Sequence, residues 1–90
     1  MNELLIELKK AQALASKFQG GYSERFMGAE EFAKVLEGAI KELESGNSGV
    51  LSNLYLWFAP TSDWDDFIKS EGMELGQKVF DLLKNYQPNT

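Results

Sequence analysis

Cysteine and histidine are both absent from this 90-residue chain. Together these absences exclude disulfides, thiolate nucleophiles, Cys/His zinc sites and the commonest general base. Val, Ile and Thr are sparse, which leaves little to argue for strands. Runs of basic residues are missing too: nine Lys and Arg stand against fourteen Asp and Glu, a formal net charge of −5. Nucleic acid is therefore not expected as a partner, because neutralising phosphates needs a basic face. Long apolar stretches are also lacking. The opening MNELLIELKK meets charge again just after Leu4, Leu5 and Ile6. Neither a signal peptide nor a membrane span of roughly 20 apolar residues fits that pattern. The expectation is a cytoplasmic protein with no membrane association, a compartment that the lack of cysteine permits.

What is plentiful is Ala, Leu, Glu and Lys, all good helix formers. With 43% hydrophobic and 12% aromatic residues, the chain can bury one modest core. Punctuation falls at Gly20-Gly21, at Ser45-Gly46-Asn47-Ser48-Gly49, at Pro60 and more weakly at Ser70-Glu71-Gly72. The reading is an all-α single domain over residues 1–90, with four main helices, one short helix and a disordered tail at 87–90. A helix over about 2–19 places Leu4, Leu8, Ala11, Ala15 and Phe18 on one stripe and leaves Ile6 on the charged face. A second, from about Ala29 to Glu44, lines one side with Phe32, Val35, Leu36, Ala39, Ile40 and Leu43. Its other side carries Glu30, Lys34, Glu37 and Lys41 as i,i+4 pairs. VLSNLYLWF follows an Asn47/Ser48 cap signal and buries a broad face, with Tyr55 and Leu56 turned toward the N-terminal helix or another protein. Beyond Pro60, Ser62 is the expected cap of a short helix holding Trp64, Phe67 and Ile68. A final helix runs from Ser70 to about Tyr86, in which Gly76 marks the close approach of another helix and Gly72 belongs to the turn.

The densest chemical feature is Thr61-Ser62-Asp63-Trp64-Asp65-Asp66, three carboxylates beside an indole. Such acids could hold a divalent cation through oxygen, or work as an acid/base pair if burial raised one pKa. They lack the spacing, the mid-loop glycine and the terminal Glu of an EF-hand. The structural alternative is capping and favourable charge at a helix start, with Trp64 in the core. No histidine accompanies any serine, so no nucleophile, catalytic residue, metal ligand or cofactor is assigned.

The segment FAPTSDWDD, followed by EGMELGQKVFDLL, resembles the C-terminal half of short uncharacterised bacterial proteins of helical fold. That resemblance implies a helical fold and a bacterial origin, and no activity, cofactor or catalytic residue. In size, helix count and lack of catalytic side chains the chain is also loosely similar to small helical immunity proteins, without any diagnostic immunity motif. The expected function is a non-enzymatic protein-interaction module, an immunity- or inhibitor-like one, whose acids meet a partner with a basic surface. Its expected contact residues are Tyr55, Asp63, Trp64, Asp65 and Asp66. Two alternatives stand beside it: a metal- or small-molecule-binding enzyme using Asp63, Asp65 and Asp66, and a homodimeric structural or accessory subunit.

Overall fold

In the computed structural model, which describes residues 2–23 and 25–86, the all-α reading holds, and no strand occurs among the described residues. The helices are α1 (Asn2–Ala15), α2 (Ala29–Glu44), α3 (Val50–Phe58), α4 (Asp63–Ile68) and α5 (Met73–Lys84), with a 3₁₀ turn at Lys69–Gly72 before α5. The tail expected at 87–90 lies outside the described residues. Around the core the four longer helices neighbour one another in the cycle α1, α2, α3, α5 and back to α1, an order that periodicity alone left open. Helix α4 and the 3₁₀ turn close one end between α3 and α5. The radius of gyration of 11.9 Å matches the roughly 12 Å of a compact chain of this length. No helix among the described residues is long and apolar enough to cross a membrane.

The first helix ends four residues earlier than its stripe suggested. Lys17 and Phe18 donate their N–H groups to the carbonyls three residues back, those of Leu14 and Ala15, tightening the last turn. The Ser16 hydroxyl also bonds the Ala13 carbonyl at 2.7 Å, offering the backbone a local alternative to helix. Phe18 consequently leaves the stripe and is only half-buried. Glycines 20 and 21, at φ +77° and +74°, then turn the chain away. On α1, Glu7 is buried at the seam with α5, where Lys10 (3.1 Å) and Lys78 (3.5 Å) flank its carboxylate.

Helix α2 has the expected bounds because both ends are marked. At its C-terminus the Asn47 N–H bonds the Glu42 carbonyl and the Gly46 N–H bonds that of Leu43, with Gly46 at φ +99°. Those paired bonds form a Schellman motif, which satisfies carbonyls that the helix end would orphan. Phe32, Leu36, Ile40 and Leu43 are buried as the period requires, whereas Val35 lies at the edge of the stripe and stays exposed. The cap expected at Asn47/Ser48 acts one step early. Asn47 Oδ1 accepts from Gly49 N at 3.0 Å, shaping the turn before α3, and Gly49 itself occupies the cap position. Tyr55, half-buried, packs on Phe80 of α5 with ring centroids 5.0 Å apart.

Six aromatic rings form the centre. Phe32 on α2 touches Phe26, Trp57, Phe58, Trp64 and Phe67, at centroid distances from 5.1 to 6.5 Å. Trp64 also packs on Phe58 in a tilted arrangement at 4.9 Å and donates its indole N–H to the Gly72 carbonyl at 2.9 Å. That indole lies directly against Gly76. A Cβ there would overlap Nε1 and Cδ1, so the close approach read from the glycine is to one side chain of α4. Gly72 is more than a turn residue: it is buried, and a Cβ would collide with Ile68 and crowd Trp64.

Gly76→Ala should therefore destabilise the fold by about 2 kcal/mol or more through overpacking. Gly38→Ala, on the exposed face of α2 with open space around it, should instead stabilise by about 0.5–1 kcal/mol. Urea unfolding of the two variants checks the opposite signs.

Candidate functional site

Successive residues of an α-helix turn by about 100°, so the acidic run at the start of α4 is sent in three directions. Asp63 points inward and is 1% exposed. The Ser23 hydroxyl donates to its Oδ1, and Arg25 Nη1 donates to Oδ2 at 3.0 Å. Arg25 is the only arginine in the chain. Trp64, also buried, belongs to the aromatic core. Asp65 is half-buried, and its Oδ2 accepts from Thr61 N at 2.6 Å, just outside the helix start. Asp65 thus holds the turn that leads into α4, and the capping bond expected from Ser62 is not made: no side chain caps this helix start. Asp66 alone of the three carboxylates is fully on the surface.

The five residues expected to share one contact surface are therefore dispersed. Asp63 and Trp64 are buried inside the protein, Tyr55 is packed on α5, Asp65 is bonded to the turn before α4, and Asp66 faces solvent. A divalent-cation centre finds no support in this geometry either. Asp63 is committed to Arg25 and Ser23, and among the described residues no three acidic side chains gather as a metal-holding group.

What Asp63 holds is the segment between α1 and α2. Ser23 and Arg25 attach that segment to α4, and further bonds attach it to itself and to the start of α2. Gly20 N donates to Glu30 Oε1 and Met27 N to Glu31 Oε1, both at 2.8 Å. Ala29 N reaches the Gly20 carbonyl at 2.9 Å, and Ser23 N the Phe26 carbonyl at 2.9 Å. Phe26 drops from the segment into the core, edge-on to Phe32 at 5.1 Å and to Trp57 at 5.4 Å. Between these anchors two large side chains remain outside: Tyr22 is 80% exposed and Met27 83%. Glu30 and Glu31, in the first turn of α2, act here as clamps on the loop backbone. Hydrogen bonds from its own N–H and from that of Gly20 hold the Glu30 carboxyl below the ordinary 4.5. A hydrogen bond from Lys10, with the charges of Lys10 and Lys78, does the same for Glu7 against the cost of its burial.

On the other side of α4 an open cleft of about 430 Å³ runs between the end of α3, the 3₁₀ turn and the first turns of α5. Phe58, Pro60 and Met73 give it apolar walls, and Asp65, Lys69 and Gln77 give it polar ones. Thr61 and Lys69, at φ +62° and +57°, bracket α4 and are the only non-glycine residues of positive φ among the described residues.

None of Tyr22, Ser23, Arg25, Phe26 or Met27 stood out in the sequence. The segment has no period, and its bonds to Asp63 span about forty positions. The one available signal was a lone arginine beside a phenylalanine in a connecting stretch, facing an acid-rich run elsewhere.

Two outcomes follow from these contacts. Arg25→Met leaves a buried carboxylate with one partner and should cost about 2–4 kcal/mol, the lower part of the usual range because Arg25 is itself about one-third exposed. Adding Asp63→Asn should recover part of that loss, a coupling that urea unfolding of both single variants and the double variant measures. For Glu7 and Glu30 the folded pKa lies below the unfolded one. Their stabilisation is present above about pH 4.5 and is lost as the pH falls through the folded values. Glu30→Gln should therefore flatten the fall of melting temperature below about pH 4.5, and a pH series of thermal melts shows it.

No family model matches the chain, and no significant match was found among curated proteins or solved structures.

Proposed function

We propose that this chain is a non-enzymatic protein-interaction module of the cytoplasm, and that its contact surface is the anchored loop carrying Tyr22 and Met27. One observation carries this reading: two large side chains, 80% and 83% exposed, sit on a loop whose backbone is bonded to α2 and, through Ser23 and Arg25, to α4. An exposed aromatic and an exposed methionine on a mobile loop would be ordinary surface. Held in place, they present apolar area whose ordering cost has already been met in folding, the condition under which a small surface binds well. Tyr and Met are also enriched at the centres of interfaces.

The net charge of −5 supports a partner with a basic surface, which would be met faster at low ionic strength. Glu30 and Glu31 lie at the base of the loop and provide negative charge beside the apolar knobs. Asp66, on the surface of α4, is the one carboxylate of the acidic run still placed for such a contact. This is the surface an immunity- or inhibitor-like protein would use, and it replaces the Tyr55 to Asp66 set as the contact region.

The test compares the wild-type chain with Tyr22→Ser/Met27→Ser as bait against an extract of the source cells, followed by titration of the purified partner. The expected outcome is a stoichiometric partner, with affinity falling at least about tenfold in the variant and falling with added salt, while the melting temperature stays unchanged. Equal affinity in the variant would move the interface elsewhere. A doubled mass by light scattering that this variant abolishes would make the partner a second copy of the chain.

A further inference from the structure

The cleft beside α4 holds two opposite charges that local geometry ought to have paired. Asp65 and Lys69 are four residues apart, the spacing at which an acid and a lysine meet on a continuous helix. Here they do not meet. Lys69 takes φ +57°, leaves the helix, and makes no ion pair among the described residues, although it lines the same cleft as Asp65. At the opposite end of α4, Thr61, a β-branched residue, takes φ +62°, and its N–H is the donor that fixes Asp65. Non-glycine residues in this region cost stability and persist only where the surrounding structure imposes them.

The remaining walls supply what a ligand between those charges would need. Asp65 uses Oδ2 for Thr61, and Oδ1 has no bond among the described residues. Gln77 spends its amide N–H₂ on Asp81 at 2.9 Å, so its carbonyl oxygen is not used in that bond. Phe58, Pro60 and the exposed Met73 provide apolar contact. The volume of about 430 Å³ lies within the range of small-molecule pockets. Balanced opposite charges disfavour a purely anionic or purely cationic guest, since either would meet one like charge.

We propose that this cleft binds a small zwitterion with an apolar side chain, of the α-amino-acid type, its ammonium group on Asp65 and its carboxylate on Lys69. This site is separate from the loop surface: Asp63 faces the loop and Asp65 faces the cleft, on different sides of one short helix.

The experiment is amide chemical-shift titration of the full chain with L-phenylalanine, and in parallel with 3-phenylpropionate and 2-phenylethylamine, which keep the ring and one charge each. The expected result is saturable movement confined to residues 58–77, with a dissociation constant of about 1 mM or tighter and each analogue at least about tenfold weaker. Asp65→Asn retains an oxygen for Thr61 N–H, and Lys69→Gly relieves the left-handed backbone. Both variants should stay folded, and each should lose about tenfold in affinity for L-phenylalanine. No saturable movement up to about 10 mM, equal affinity for all three probes, or undiminished binding by folded Lys69→Gly would each overturn the proposal.

Discussion

Everything else in this small protein depends on Phe32 being surrounded. Its ring, fully buried on α2, is the meeting point of aromatic side chains from α3, α4 and the loop before α2. Helices of nine and six residues, α3 and α4, are too short to persist by themselves. They exist because the rings they carry have one common place to go. Edge-on and tilted contacts of this kind add about 0.5–1.5 kcal/mol each beyond the area they bury, and they are directional. The cluster therefore gives the short elements both their stability and their angles.

Around that centre, α4 acts as a wedge whose sides have different chemistry. Inward it inserts Trp64, Phe67 and Ile68. The Trp64 indole occupies the space left by Gly72 and Gly76, so α4 and α5 come closer than any side chain at those positions would allow. On a second side the wedge places a carboxylate under the loop, where Ser23 and Arg25 close over it. On a third it opens a cleft between Asp65 and Lys69. Six residues thus join the core, an anchored surface and a pocket, with the register set by the tryptophan.

How far the chain could be read in advance follows the range of the forces involved. Helix α2 was legible because its period and its glycine-marked end are both local. The broad buried face of α3 was legible for the same reason, and Gly76 announced a close approach. Trp64 was read both as a core residue and as a contact residue, and the run could not be resolved further because composition cannot show helix phase relative to a core. Whether Asp63 faces in or out depends on Arg25, thirty-eight positions away. The loop was invisible for a related reason: Phe26 is a core residue only because Phe32 and Trp57 form the recess it fills.

The bond between Arg25 and Asp63 also ties two regions into one cooperative unit of opening. Loops before helices usually exchange their amide hydrogens through small local fluctuations. Here Ser23 and Arg25 cannot leave without stranding a buried carboxylate, and α4 cannot swing out while they hold it. Hydrogen exchange at Ser23 and at Phe67 should therefore proceed through one shared event, with the loop as slow as the helix beneath it. A connecting segment that would ordinarily be among the first parts to fray becomes a reporter of whether the end of the bundle is closed.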